Sequence, residues 1–284
     1  MGAADVVPGV SGGTIAFIVG IYEELLNSIK SVDLDAFKMF FQFKWKDLWA
    51  KVNGNFLVSV FLGVALSILS LAKLITYLLE NHPVLVWSFF FGLVLASTIV
   101  VSRQIRQFSW DRLFIFALGT VGAFYITVAT PSSTPETLPV VFLSGAIAIC
   151  AMILPGISGS FILVLLGKYF YIMNALKNFE IPTILTFLAG ASIGIVSFSN
   201  VLAWLLKKYH DLTIALLSGF MLGSLNKVWP WKETLETYVD RHGIEKPLVE
   251  QNILPNIYLF EGIALMVAGF ILVIGLEKLG SKKD

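Results

Sequence analysis

Two seven-residue runs hold the groups best suited to chemistry. Val7–Gly13 reads VPGVSGG and Leu154–Ser160 reads LPGISGS. Each places a Pro-Gly break and a Ser-Gly turn just ahead of an apolar run. Two chemistries fit this pattern. Gly9-Val10-Ser11-Gly12-Gly13 matches G-x-S-x-G, which can present a nucleophilic serine on a sharp turn. The same residues at a helix start form an anion cradle: free N–H groups, a positive dipole end, close backbone approach at glycine, and hydroxyl donors. The cradle candidates are Gly9, Ser11, Gly12, Gly13 and Thr14 in the first run, and Gly156, Ser158, Gly159 and Ser160 in the second. Two facing helix ends supply about one unit of positive charge. A phosphate monoester carries about −1.5 to −2.

The hydrolase alternative needs a base near the serine. The three histidines, His82, His210 and His242, lie in loops outside the apolar segments. A symmetrically duplicated catalytic serine also has no chemical purpose, so no catalytic residue is expected. No lysine follows the glycines as in a P-loop, and no metal-ligand cluster is visible. Neither metal nor cofactor is expected.

Ionisable groups in apolar surroundings are further candidates. Asp5 and Glu261 could carry a proton or pair with a coupling cation, and Glu23 sits at an expected interface. Arg103 and Arg106 either receive a phosphate at the mouth of the pathway or anchor the chain by charge. Tyr22 and Tyr169 read as interfacial anchors, and Lys73 and Glu24 as groups that reach out to water.

The elements that position these groups are duplicated. Pro8/Pro155, Gly9/Gly156, Ser11/Ser158, Gly12/Gly159, Gly20/Gly167, Tyr22/Tyr169 and Asn27/Asn174 share a separation of 147 positions. Gly63/Gly190, Gly92/Gly219, Leu95/Leu222 and Ser97/Ser224 share 127. The polar loop 31–53, shortened in the second copy, absorbs the difference. That loop interleaves Lys with Phe and Trp, as a solvated connection or as an amphipathic element on lipid headgroups.

The chain has 284 residues, 57% hydrophobic and 14% charged, with mean hydropathy +0.82. A soluble domain has about 25% charged residues, so this is the composition of a multi-spanning membrane protein. A net charge of +1 gives no reason to expect nucleic acid, and the single Cys150 excludes an internal disulfide. No basic, cleavable leader is visible. Spans are expected at 56–79, 84–101, 113–130, 184–206, 212–228 and 257–276. From Gly13 the first motif helix meets Glu23 after about 15 Å, and from Ser160 the second meets Lys168 after about 12 Å. Both are about half of a ~30 Å hydrocarbon core. This predicts re-entrant helical hairpins at 3–30 and 139–174, with the broken backbone inside protein or beside a polar cavity. An ordinary Pro/Gly kink in a full span is the alternative.

The expected fold is therefore an all-α integral membrane protein of two inverted-topology repeats, 1–137 and 138–284. Each has a re-entrant hairpin with a PGxSG turn plus about three spans. Counting crossings places the basic groups on one face, read as cytoplasmic together with the C-terminus. The apolar arm Pro139–Leu154 has no counterpart before Pro8, which predicts a natural start upstream of Met1 or a truncation.

GAADVVPGVSGGTIAFIVGIYEELLNSI and ILPGISGSFILVLLGKYFYIMNAL together resemble the bacterial polyprenyl-phosphate transporter family, over nearly the whole chain. The resemblance implies a bacterial inner-membrane flippase that returns undecaprenyl phosphate to the cytoplasmic leaflet for cell-wall polymer synthesis. It carries over Asp5, Pro8, Gly9, Ser11, Gly12, Gly13, Thr14 and Glu23, then Pro155, Gly156, Ser158, Gly159 and Gly167. The family's short lead-in before Gly2 is missing. The expected partners are the polyprenyl phosphate and membrane lipids, with proton or cation coupling and a homo-oligomer as open options. A transporter of a small soluble anion, using the same cradle, is the main alternative; the intramembrane serine hydrolase is the second.

Overall fold

The structure is a computed structural model that describes residues 1–5, 11–107, 109–132, 134–239 and 245–280. The chain opens with three short helices, α1 (Gly2–Asp5), α2 (Gly12–Ile18) and α3 (Tyr22–Lys30). Two more, α4 (Leu34–Phe41) and α5 (Trp45–Lys51), occupy the expected polar loop. Then come α6 (Gly54–Asn81), α7 (Pro83–Ser102) and α8 (Trp110–Val128). The second motif lies between α9 (Leu138–Ile153) and α10 (Gly159–Leu165), followed by α11 (Tyr169–Lys177). The chain closes with α12 (Ile181–Lys208), α13 (His210–Ser224), strands β1 (Lys232–Val239) and β2 (Glu245–Asn252), and α14 (Leu259–Gly280).

Five helices, α6, α7, α8, α12 and α14, are long and apolar enough to cross a membrane. The chain is a multi-pass membrane protein. Phe61, Leu62, Leu66 and Leu69 on α6, and Phe114, Leu118, Val121 and Tyr125 on α8, are exposed. Such broad apolar faces are liabilities in water and ordinary surfaces in lipid.

Two expectations need correction. The span expected at 212–228 is the 15-residue α13. It ends where Asn226 turns to donate its side-chain amide to the Thr127 hydroxyl, 2.8 Å away. Within the connection 229–255, β1 and β2 form a two-stranded antiparallel sheet with Lys232 opposite Asn252 and Thr234 opposite Glu250. Only the apolar part of the molecule is therefore all-helical. α4, α5 and the turn between them expose Phe37, Phe40, Phe41, Phe43, Trp45 and Trp49, interleaved with Lys38, Lys44 and Lys46. That face suits a headgroup layer.

The packing follows the duplication. α6 breaks into α7 at His82 (φ −138°, ψ 50°), and α12 breaks into α13 at Tyr209 (φ −131°, ψ 48°), 127 positions later. α7 packs on α14, and α8 packs on α13. Gly92 lies against the Met266 carbonyl and Gly219 against that of Phe116; Gly269 meets the Phe89 carbonyl and Gly119 that of Leu216. No Cβ would fit at these four crossings. The order of the contacts, Ser88–Gly262 then Gly92–Met266, makes α7 and α14 run parallel. Phe116–Gly219 then Thr120–Gly223 does the same for α8 and α13.

After α9 the chain turns at Leu154–Ser158, and α10 packs back along α9. The Ser132 N–H donates to Leu165 O at 2.9 Å and the Thr134 hydroxyl to Leu166 O at 2.6 Å. The far end of α10 thus returns to the segment that leads into α9. α11 then leaves at 106°. α12 runs parallel to α9, with Gly190 on Phe142 and Gly194 on Ala146 and Ile149. In the first copy Gly2 packs on Val64 and Ser67 of α6, and Gly2 and Ser67 are the duplicates of Ile149 and Gly194.

Candidate functional site

The two Ser-Gly turns meet in the interior. Ser11 is the N-cap of α2, and its hydroxyl oxygen accepts from the Gly13 N–H at 3.1 Å. A serine in this position satisfies one of the free amides of a helix start. The same hydroxyl donates to the Met152 carbonyl of the other motif at 3.0 Å. Thr14 Oγ1 accepts from the Gly156 N–H at 3.1 Å. A Cβ on Gly13 would come within 2.6 Å of Ile153 O. Gly156 has φ +89° and faces Ser224 and Met221 so closely that a Cβ would lie 2.8 Å from Ser224 Oγ. Only glycine combines that backbone with that approach.

Tyr22 is not an interfacial anchor. It is 2% exposed and its hydroxyl donates to Ile153 O at 3.1 Å. Its ring lies on Phe17, with centroids 3.9 Å apart. The break between α9 and α10 leaves the Met152 and Ile153 carbonyls without helical partners, and Ser11 and Tyr22 satisfy them. This is the rule for broken backbone in an apolar interior.

The second copy differs. Ser158 caps α10 without a side-chain hydrogen bond to it. Its hydroxyl instead pairs with that of Ser160 at 2.8 Å, and Ser160 is exposed while Ser11 and Thr14 are buried. Of the expected cradle, Ser11, Gly13 and Thr14 are spent joining the motifs, Gly12, Gly156 and Gly159 are buried, Ser158 is half-buried and Ser160 is exposed. Gly9 and Pro8 lie outside the described residues. Asp5 lies in α1, and its side chain is outside them as well.

The other candidates stand apart. Glu23 is exposed in the first turn of α3. Glu261 is exposed in the first turn of α14, beside Gly262, which packs on Ser88 and Trp231. Arg103 caps α7 and pairs with Glu277 at 3.7 Å; Arg106 is exposed nearby. Arg112 pairs with Asp211 at 3.5 Å at the same end. The basic groups do not all share that end. Lys168, 1% exposed, donates to Thr134 O at 2.6 Å. Lys227 and Lys232 both meet Glu250, at 3.3 and 3.4 Å. Each of the three is bonded within the protein, which is why a count of loop charges overlooks them. Among the described residues no group of three metal-ligating side chains occurs.

The family model for VCA0040-like, undecaprenyl phosphate translocase-like proteins matches residues 1–246. A polyprenyl-phosphate transporter of Vibrio cholerae serotype O1 is 48% identical over 293 aligned positions, covering 99% of this chain and 94% of its own. A polyprenyl-phosphate transporter of Staphylococcus aureus is 32% identical over 248, covering 81% of this chain and 83% of its own. No solved structure matches. With a family model covering most of its length and a relative matching nearly all of it, the chain belongs to the VCA0040-like family of undecaprenyl phosphate translocase-like proteins.

Proposed function

We propose that the chain moves a polyprenyl monophosphate between leaflets of the bacterial cytoplasmic membrane, from the outer to the inner leaflet, and performs no covalent chemistry on it. The observation that carries this is the direct contact of the two motif turns in the interior, Ser11 with Met152 and Gly156 with Thr14. The substrate class comes from the relatives, both named polyprenyl-phosphate transporters.

The repeats are taken as inverted. α7, α8 and α9 run parallel to α14, α13 and α12 respectively, so duplicated helices point opposite ways if successive spans alternate. α9 and α10 are taken as a re-entrant hairpin, supported by the return of Leu165 and Leu166 to the Ser132–Thr134 segment. The end bearing Arg103, Arg106, Arg112 and Lys207-Lys208 is taken as cytoplasmic.

α2 and α10 have seven residues each. Few peptide dipoles add up in so short a helix, so side-chain donors matter most. Ser158 and Ser160 hold the headgroup, and the locked first motif is the wall against which the second rocks. Unassisted, a charge at the bilayer centre costs from about 3 to over 10 kcal/mol. A polar stop there lets the head cross while the isoprenoid tail stays in lipid.

The test is a proteoliposome assay of phosphate-headgroup accessibility in each leaflet. The parent should move intact lipid phosphate, and Ser158→Val with Ser160→Ala should slow it about tenfold, the loss of about 1.4 kcal/mol. Movement of inorganic phosphate without lipid would replace the reading with a soluble-anion carrier. Release of free phosphate would replace it with a hydrolase.

A further inference from the structure

From two adjoining cavities at the β-sheet end, we infer that the protein has a capture site for an anionic amphiphile: a phosphate group held by Lys227 and Lys232, its tail in the apolar chamber beside them. The inference rests on the substrate class proposed above and concerns a separate place in the molecule.

The first cavity, of about 390 Å³, lies between the ends of α8 and α10 and the two strands. Among the described residues its charged walls are Lys227, Lys232 and Glu250, two cations to one anion. Lys227 Nζ stands 4.9 Å from the Phe161 ring, and Lys232 Nζ stands 4.0 Å from the Trp87 ring while donating to Lys227 O at 2.8 Å. Glu250 offsets one charge and leaves the other. An unbalanced cation beside a partly enclosed space is what a phosphate monoester seeks. Burial holds the Lys232 ammonium down to about 8, so it gains most from an arriving anion.

The second cavity, of about 660 Å³, has mainly apolar walls, among them Phe91, Phe124, Leu222, Trp229 and Leu254. Phe124 is exposed on the outward side of α8. Asn226 and Asn252 line both chambers and are bonded to each other at 2.9 Å. A polar chamber against an apolar one across a shared wall matches a headgroup and its chain. The polar chamber also leads toward the motif. Phe161 and Val164 of α10 line it, and Ser160 lies one turn from Val164 on the same helix face.

The experiment measures binding of a short-chain polyprenyl phosphate to the full chain in nanodiscs, by native mass spectrometry, with neutral polyprenol and inorganic phosphate as competitors. Lys227→Gln should raise Kd about tenfold and Lys227→Arg should restore it, as for one charge-assisted contact. Glu250→Gln should do the opposite and tighten binding, because it removes the competing carboxylate. Inorganic phosphate should compete weakly, because it lacks a tail. If Lys227→Gln binds like the parent, or Glu250→Gln loosens binding as Lys227→Gln does, the cluster is a clasp for the β-sheet and the inference falls. Equal competition by inorganic phosphate overturns the amphiphile assignment. If binding depends on Lys227 as described but the parent moves no lipid between leaflets, the capture site stands and the transport reading fails.

Discussion

Two copies of one motif end in opposite conditions. Ser11 and Thr14 are buried and bonded across to the second motif; Ser158 is half-buried, Ser160 is exposed, and among the described residues their hydroxyls pair with each other. The same Pro-Gly-x-Ser-Gly run thus acts as a lock in one place and leaves donors available in the other. Duplication supplies two equivalent devices, and packing decides which is left free. A carrier that alternates between two states needs such an imbalance, because identical halves in identical surroundings have no reason to open to one side.

The largest effect expected on this contrast is at Gly156. Alanine there meets both a left-handed backbone and the Met221–Ser224 wall, at a cost of about 3 kcal/mol or more. The duplicated motif offers a control. Gly20→Ala has the same kind of φ, +74°, with nothing within 4 Å, so about 1 kcal/mol of backbone strain remains. Thermal unfolding in detergent should rank Gly156→Ala far below Gly20→Ala.

Next come the hydroxyls. Thr14→Val leaves the buried Gly156 N–H without its acceptor, for a loss of about 1–3 kcal/mol. Ser158→Val with Ser160→Ala should change stability by less than about 0.5 kcal/mol while slowing lipid transfer. If both changes act on stability alone, or both on transfer alone, the division of labour between the copies is wrong.

The smallest effect is at Lys232. Its folded value, about 8, lies below the ordinary lysine value of 10.5. Between those values the unfolded chain holds a proton that the folded chain has released, so this group makes stability rise with pH across that window. The charged groups facing it are Glu250 on β2 and Lys227 after α13, with the Trp87 ring on α7. Lys232→Met should flatten the rise relative to the parent in melts taken between pH 8 and 10.5.

Much of this was legible in the chain because duplication writes itself as constant offsets. The short reach from each motif to its first polar residue, about half of a ~30 Å core, pointed to two turns at similar depth, and their contact is seen at Ser11–Met152 and Thr14–Gly156. What escaped was what depends on distant partners. A tyrosine near an expected interface reads as an anchor, and only Ile153 O, 131 positions away, shows Tyr22 to be a strut. KETLETYV and EKPLVEQN read as a mixed-charge loop because no apolar alternation marks them as strands. Lys227, Lys232 and Glu250 become one cluster only through the strand pairing. The cradle residues were read as equivalent, since offsets say nothing about which copy has a neighbour.

The crossings at Gly92, Gly119, Gly219 and Gly269 bear on ancestry and on assembly. At these crossings a helix of one half packs on a helix of the other, α7 on α14 and α8 on α13, so neither half owns a complete interior. A single-copy forebear would have needed a second molecule of itself to cover those glycine faces. Cut between α8 and α9, the present chain should yield two pieces that are insoluble when made apart and recover their structure when made together.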